Sequence, residues 1–481
     1  MNSSKNTNSY TFKTKPWSHQ LMALDFLYNR DIGALYTDMG TGKSKVIIDL
    51  IVNKDFKTTL IVCTKKGCNN WVKQFQIHSN LKKESIVNLT SYSTNQKTTL
   101  IQNMLKNCSK KSSKTGCSIL ICNYDSIWRE PFSKYLLKLP IDCVVCDESH
   151  RIKTPSSKCS KFLSKLGKNV HNRYLVTGTP LAENPTDIYA QYRFLDPAIF
   201  GTSLTLFRGR YENLDVSRTT QVGYRVLDKR EPYINLEELQ EKMFSIAFMA
   251  KSEVKLPKRL NIVQSFKLSQ KEIECYKEMT KNQAVEFEDG LMTVENILSL
   301  SLRQQQITSG FLPILDEDFN PIGNKEIGTS KLETLKELLE NLPKNEPVVI
   351  FAKFRYDLDS IRKLCDSLGF GYSEISGTTD EEDDWQSGKT QVLGVQYASG
   401  SESITLTRAH YCIYYSLTYS LSQYRQSKKR IHRPGQEHKC IYYYLVAELD
   451  KGKTIDRTIV DALIKKGDIV DSIIQEYSKS D

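Results

Sequence analysis

Apolar residues in the first half of the chain fall into short β-branched or cysteine-rich runs at residues 32–36, 59–63, 119–122, 143–146 and 174–176. Each run is followed by a turn and then by a helical spacing. Runs without polar alternation suit parallel strands buried on both faces, so this half is predicted to be a doubly wound α/β domain. After Thr329 the pattern starts again. Leu332, Leu335, Leu338, Leu339 and Leu342 line a predicted helix, and apolar runs follow at residues 348–351, 392–395, 412–415 and 442–446. A second α/β domain is expected there.

The stretch between them reads differently. Residues 236–249, 269–288 and 294–307 have helical spacing, and the second segment opens with Ser269-Gln-Lys-Glu272 in the manner of a capping box. The Asp, Asn, Pro and Gly content of residues 316–324 predicts a hairpin turn or linker, and the interdomain hinge is placed there. The expected division is a mobile tail over residues 1–14, a first α/β domain over 15–200, a helical and hairpin insertion with the linker over 201–328, and a second α/β domain over 329–481. No repeat of solenoid period is evident.

Composition narrows the class. With 481 residues, 39% hydrophobic and 26% charged, the chain has the balance of a soluble protein of roughly two to four domains. No run approaches the ~18 apolar residues of a membrane helix, and the polar start lacks the apolar stretch of a secretory signal. A cytoplasmic protein with no membrane partner is expected. Of the 12 cysteines, Cys143 and Cys146 have C-x-x-C spacing, but they lie in a predicted strand and no second pair or His pair follows. That favours buried reduced thiols over zinc. A net charge of +11 suits a polyanionic partner without identifying one.

Three segments carry chemistry. In Thr37-Asp-Met-Gly-Thr-Gly-Lys-Ser44, Gly40 and Gly42 let the backbone around Thr41 curl so that N–H groups face phosphate oxygens. Lys43 is placed to contact the β and γ phosphates of ATP, and Ser44 to hold Mg²⁺. The strict eight-residue pattern has glycine where Thr37 stands. A strand–turn–helix junction without ligand shares the local pattern, so the other two segments decide. Asp147 and Glu148 follow a predicted buried strand, with Asp147 as a metal ligand and Glu148 as the group that positions and deprotonates water. Arg430 and Arg433, late in the chain, suit transition-state charge in phosphoryl transfer, although residues 428–433 taken alone read as a basic surface helix.

At these residues the sequence resembles the Swi/Snf-like branch of superfamily two helicases and translocases, over residues 17–464. Tyr174-Leu-Val-Thr-Gly-Thr-Pro180 with Asn184 and Phe194-Leu-Asp-Pro197 resembles the family's third motif and its continuation. Asp147-Glu-Ser-His-Arg-Ile-Lys-Thr-Pro155 resembles the extended second motif, and Arg430-Ile-His-Arg-Pro-Gly-Gln436 the sixth. The resemblance implies two tandem RecA-like domains, ATP with Mg²⁺, and a compact single-chain form like phage-encoded members, acting in a host cytoplasm. It implies that Gln20 reads adenine, that His150, Thr177, Gly178 and Thr179 couple the ATP site to DNA, and that Gln426 joins an interdomain ATP contact. Two departures stand out in the fifth motif, residues 398–407, where Ser403 and Thr405 replace the usual glycine and asparagine. Residues 248–257 resemble the segment after the family's helical insertion, without its paired arginines.

Family members track one strand of duplex DNA through backbone contacts, which tolerate any sequence and weaken with salt. Basic residues where loops leave predicted strands are the candidates here: Lys65, Lys66, Arg129, Lys353 and Arg355, with Ser399 and Gly400 in the fifth motif. Taken singly, each basic residue reads rather as a solvated surface charge. Residues 106–114 read as a flexible basic loop, and Trp71 and Trp385 as base-stacking or core residues, with the core favoured for Trp71 by its spacing to Phe75. Residues 217–234 alternate around Gly223 like a basic hairpin, either a wedge or a surface decoration. The expected function is a monomeric ATP-dependent helicase or translocase that remodels branched DNA in replication, recombination or repair, beside proteins of those pathways. The alternative is a duplex translocase that displaces bound proteins or serves a nuclease. An RNA helicase is disfavoured by the motifs.

Overall fold

The computed structural model describes residues 11–38, 40–110, 117–213, 232–250, 256–282, 284–287, 290–293, 297–316, 321–343, 345–397 and 404–477. The hairpin expected over residues 217–234 lies outside them as far as residue 231, as do Ser399 and Gly400.

The β-branched runs of the first half form a 7-stranded sheet: β1 (Ile32–Thr37), β2 (Thr58–Cys63), β3 (Ile86–Asn88), β4 (Ser118–Asn123), β5 (Cys143–Asp147), β6 (Asn172–Thr177) and β7 (Ala247–Ala250). Every neighbouring pair is parallel, in the order β3-β4-β2-β5-β6-β1-β7. Strands β2 and β4 are buried along their whole length, because helices cover both faces of a doubly wound sheet. Register places the site: Tyr36 of β1 stands beside Thr177 of β6, and Asp147 of β5 beside Val176. The carboxyl ends of β1, β6 and β5 therefore finish level and side by side.

A second, 6-stranded parallel sheet is built from β8 (Arg259–Lys267), β13 (Val348–Ala352), β14 (Tyr372–Ile375), β15 (Val392–Gln396), β16 (Tyr411–Tyr414) and β17 (Cys440–Glu448). Its order is β14-β15-β13-β16-β17-β8. Between β8 and β13 come two antiparallel pairs, β9 (Ala284–Phe287) with β10 (Gly290–Thr293) and β11 (Phe311–Leu315) with β12 (Pro321–Glu326). Asp456, at the start of the helix Ile455–Tyr477, is buried and accepts from Lys331 Nζ at 2.9 Å and Thr308 Oγ1 at 3.0 Å.

Several expected boundaries move. The chain divides into one unit of Met1–Glu253 with Ile469–Asp481 and a second of Val254–Asp468, so the insertion expected over 201–328 is shared between them. Residues 236–249 make a helix, Leu236–Phe244, and then turn into β7, which pairs with β1. The helix expected over 269–288 is Gln270–Asn282 followed by β9, and that over 294–307 is Ile297–Thr308. Strand β8 was not anticipated: it is an edge strand, mostly exposed and polar at Asn261, Gln264 and Ser265, and lacks the apolar run of its neighbours. Of the residues placed as a hinge at 316–324, residues 321–324 belong to β12, which pairs with β11 inside the second unit, and 317–320 lie outside the described residues.

Two segments expected to be loose are structured where described. Phe12 packs against the first core, Lys13 Nζ donates to the carbonyls of Gln76 and Ser79 at 2.6 and 2.8 Å, and Thr14 Oγ1 meets His78 Nδ1 at 2.6 Å. Residues 11–14 are therefore docked, not a tail. Lys106 and Lys110 belong to the helix Thr94–Lys110, not to a basic loop, and residues 111–116 lie outside the described set. Cys143 and Cys146 are buried free thiols of β5, and burial pushes both thiols well up.

Candidate active site

The loop after β1 is shaped by two glycines in the left-handed region, Gly40 at φ 82° and Gly42 at φ 78°. Gly42 caps the helix Lys43–Asn53, so that helix begins with its N–H groups and positive dipole end at the loop. Lys43 Nζ reaches back to the carbonyls of Thr37 and Asp38 at 3.0 and 2.9 Å, which puts the ammonium inside the curl. Thr41 Oγ1 lies 2.7 Å from the Asp38 carbonyl and 2.9 Å from Thr37 Oγ1, so threonine at position 37 serves as a loop brace where the strict pattern has glycine. Ser44 is half-buried in the first helical turn.

Gln20 clamps this loop from outside. Its Oε1 accepts from the Trp17 N–H at 2.9 Å, capping the helix Ser18–Tyr28, while its Nε2 donates to the Thr41 carbonyl at 2.9 Å. His19 Nε2 meets the same carbonyl at 2.9 Å. A Cβ at Gly42 falls 2.2 Å from Gln20 Nε2, and the backbone there also disfavours any other residue by about 1–2 kcal/mol. Gly42→Ala is therefore expected to weaken ATP binding by about tenfold or more while the protein stays folded, with calorimetric titration as the check.

Asp147 ends β5 with both carboxylate oxygens held. Oδ1 accepts from the Glu148 N–H at 3.0 Å and Oδ2 from Trp71 Nε1–H at 2.8 Å, while Tyr124 OH donates to the Asp147 carbonyl at 2.6 Å. Burial, and then the neighbouring Glu148 charge, push its carboxyl up to about 7, against the pull of Trp71 and Lys43. Glu148 sits at φ 51°, a left-handed conformation that a side chain rarely adopts, and the turn swings its carboxylate toward β6. There Glu148 Oε2 accepts from Thr177 Oγ1 at 3.3 Å and lies 3.4 Å from His150 Nδ1. His150 Nδ1 is also 3.3 Å from Thr177 Oγ1 and 3.4 Å from Thr179 Oγ1, and the Thr179 N–H donates to Thr177 Oγ1 at 3.1 Å. Burial holds His150 below the ordinary imidazole range, so it is neutral near pH 7.

The structure thus joins Glu148, His150, Thr177 and Thr179 into one network, with Gly178 in the turn between the two threonines. The donor set fits a magnesium nucleoside triphosphate: the hard oxygens of Ser44 and Asp147, the Lys43 ammonium and a helix N-terminus. Three supporting residues had not been anticipated. Trp71 and Tyr124 hold Asp147, and Gln191 joins Ser149 Oγ, at 2.7 Å, to the Pro180 carbonyl, also at 2.7 Å. The Trp71 spacing had signalled only a core residue, and Gln191 carries no sequence signal.

In the second unit, Gln426 and Arg430 are buried on the helix Leu421–Ile431. Arg430 Nη1 donates to the Ile404 carbonyl at 3.3 Å, and Arg433 Nη1 to Thr405 Oγ1 at 3.0 Å. The threonine that departs from the fifth-motif pattern is thus a partner of the sixth-motif arginine. Gln436 Nε2 donates to the carbonyls of Thr407, Ala409 and Ile431, locking the same turn. Lys428 lies over the rings of Tyr424, Tyr442 and Tyr444 at 4.7, 5.2 and 5.5 Å, and burial beside Arg259 pulls it down to about 8. This is not a solvated basic helix, so the plain surface reading of residues 428–433 is set aside.

The DNA candidates separate. Lys65 and Lys66 are exposed in the first turn after β2, and Arg129 is exposed after β4, its guanidinium over Trp128 at 5.4 Å. All three lie beyond carboxyl strand ends of the first sheet, the edge that carries Thr37 and Asp147. Lys353 is half-buried, donating to Gln305 Oε1 and lying over the Phe354 and Tyr419 rings. Arg355 donates to Ser376 Oγ at 2.9 Å and pairs with Glu374 at 3.7 Å. Both are engaged by their own unit. Trp71 and Trp385 are buried, and Trp385 Nε1–H donates to the Gln391 carbonyl at 3.1 Å, so neither presents a ring to a base.

A family model for the SNF2-related domain matches residues 19–310, and one for the helicase conserved C-terminal domain matches residues 330–435. The DNA repair and recombination protein RDH54 of Saccharomyces cerevisiae is 24% identical over 413 residues, covering 81% of this chain and 42% of that protein. The DNA repair and recombination protein RAD54B of Homo sapiens is 23% identical over 530 residues, covering 95% of this chain and 54% of that protein. The chain spans about half the length of these curated relatives. Among solved structures, the Sulfolobus solfataricus SWI2/SNF2 ATPase core in complex with dsDNA is similar, with a TM-score of 0.42 and 18% identity, covering 92% of this chain and 90% of that one. Because the SNF2-related model alone spans more than half of the sequence, and the helicase C-terminal model follows it in order, the chain belongs to the SNF2-related family, in the Swi/Snf-like branch of superfamily two, and carries the ATPase core of that family.

Proposed function

We propose that this chain is a DNA-dependent ATPase that translocates on duplex DNA and remodels branched DNA in recombination and repair. The observation that carries the reading is the Glu148–His150–Thr177–Thr179 network, level with the phosphate loop on one sheet edge. It joins the proposed base for hydrolysis to the loop after β6. Names of the two relatives, both DNA repair and recombination proteins, support the pathway.

The residues divide the work. Loop N–H groups and Lys43 hold the phosphates of ATP, and Gln20 fixes the loop through the Thr41 carbonyl. Ser44 and Asp147 would hold Mg²⁺, which when bound would neutralise phosphate charge. Glu148 Oε2 takes the proton of the attacking water, oriented by Thr177 and His150. Any shift of Glu148 as phosphate leaves is felt by Thr177 and Thr179, and so by the loop they belong to. Lys65, Lys66 and Arg129 offer cationic contacts to a DNA backbone at that edge.

The test compares ATPase stimulation, strand separation and removal of a protein roadblock on linear duplex, forked and four-way DNA. Forks and four-way junctions are expected to stimulate hydrolysis most and to be parted or moved. If the protein clears roadblocks from linear duplex yet never parts a fork or moves a junction, it is a translocase without remodelling. If no DNA stimulates hydrolysis, the reading fails as a whole.

A further inference from the structure

We propose that Trp71 is a positioning residue of the ATPase reaction, its indole N–H fixing the Asp147 carboxylate in the orientation that receives the magnesium nucleotide. The proposal rests on the ATPase reading of the same site. Trp71 is 1% exposed, and its Nε1 lies 2.8 Å from Asp147 Oδ2. A buried indole N–H needs an acceptor, and here it takes the Asp147 carboxyl on the sheet edge; in the ionised form that receives Mg²⁺ this is a charge-assisted bond, stronger than one to a neutral carbonyl.

The geometry sets what that bond does. An ionised carboxylate has about four lone-pair sites. The Glu148 N–H uses one on Oδ1 at 3.0 Å, and Trp71 uses one on Oδ2. Two donors on different oxygens stop rotation about the Cβ–Cγ bond and leave one site on each oxygen for other partners. With the Glu148 N–H alone, the carboxylate keeps a pivot.

Trp71 is itself held firmly. It stands on the helix Lys65–His78, whose first turn is capped by Thr64 Oγ1 accepting from the Gly67 N–H at 3.2 Å. A Cβ at Gly67 falls 2.9 Å from Thr64 Oγ1, so the tight start of the helix depends on glycine. Phe75, one turn on, packs its ring 6.1 Å from the indole. Helix, cap and ring packing therefore aim one N–H at one oxygen.

Trp71→Phe in the full chain keeps the aromatic bulk and removes the N–H. Binding of a fluorescent non-hydrolysable ATP analogue is titrated with Mg²⁺, with an EDTA baseline, beside steady-state kinetics. The Mg²⁺ half-saturation is expected to rise about tenfold and kcat to fall about 10- to 100-fold, with KM and analogue binding in EDTA nearly unchanged. Phe75→Leu, which trims the same packing without touching Asp147, is expected to keep the wild-type Mg²⁺ requirement. In an Asp147→Ala background Trp71→Phe should add nothing.

A spectroscopic arm leaves Trp71 in place. In protein labelled with ¹⁵N at the indole nitrogens, the Trp71 N–H resonance is expected to move when Mg²⁺ is added to the analogue complex of the wild type, and not in Asp147→Ala. A Trp71→Phe protein that only melts earlier while its Mg²⁺ half-saturation and kcat stay wild-type makes Trp71 a packing residue and overturns the proposal. So does an indole resonance that ignores Mg²⁺. If the wild type itself binds no analogue, the ATPase reading has failed, a result distinct from either.

Discussion

A Glu148→Gln protein is expected to bind ATP with wild-type affinity and to release phosphate about 100- to 10,000-fold more slowly on saturating DNA, the range that loss of a general base produces. Glutamine keeps the size of the side chain and an acceptor oxygen for Thr177 Oγ1–H, so the network around His150 survives while the proton acceptor is lost. Lys43→Ala is the contrasting variant. Its ammonium sits in the curl of the loop, 3.0 Å from the Thr37 carbonyl, and its removal takes away the charge that meets the phosphates before any chemistry begins. Nucleotide titration and phosphate release, measured on both, separate binding from turnover. Full turnover by Glu148→Gln assigns the base elsewhere; unimpaired nucleotide binding by Lys43→Ala removes the loop from the ATP site.

The difference in what the sequence disclosed follows from the range of the contacts. The phosphate loop and the Asp147–Glu148 pair were legible because each does its work with contiguous residues on a strand-to-helix turn. Trp71 was read as core, which it is, but its polar atom meets Asp147 across 76 positions, and spacing along one helix carries no trace of that. Gln191 and Ser149, 42 positions apart, were hidden for the same reason. Turn chemistry is local as well: residues 316–324 announced a hairpin turn or linker, and only the pairing of β11 with β12 inside one unit decides against an interdomain hinge. Lys353 looked solvated because a loop was expected at its position, while the partner that engages it, Gln305, comes from a helix 48 residues earlier.

The two arginines of the sixth motif are expected to differ in a way the motif alone does not show. Arg430 is 4% exposed, its Nη1 donates to the Ile404 carbonyl, and its own backbone carbonyl accepts from the Leu406 N–H. Truncating it removes the nearer of the two donors to a buried carbonyl together with the packing of a buried side chain, a loss of about 1–3 kcal/mol, so Arg430→Ala should melt earlier as well as turn over slowly. Arg433 is half-buried, and its guanidinium meets the Thr405 hydroxyl, a contact that a rearranging side chain can exchange for a phosphate oxygen at little cost. Arg433→Ala is therefore expected to keep its melting temperature and lose about 1,000-fold in saturated turnover, as a transition-state arginine does. Salt-dependent DNA binding should stay the same, because a residue that contacts a DNA phosphate changes the slope of affinity with salt and one that serves ATP does not. Measuring melting, saturated phosphate release and the salt slope on both variants decides the matter: lost DNA affinity with intact turnover in Arg433→Ala makes that arginine a DNA contact and leaves the transition-state charge to another residue.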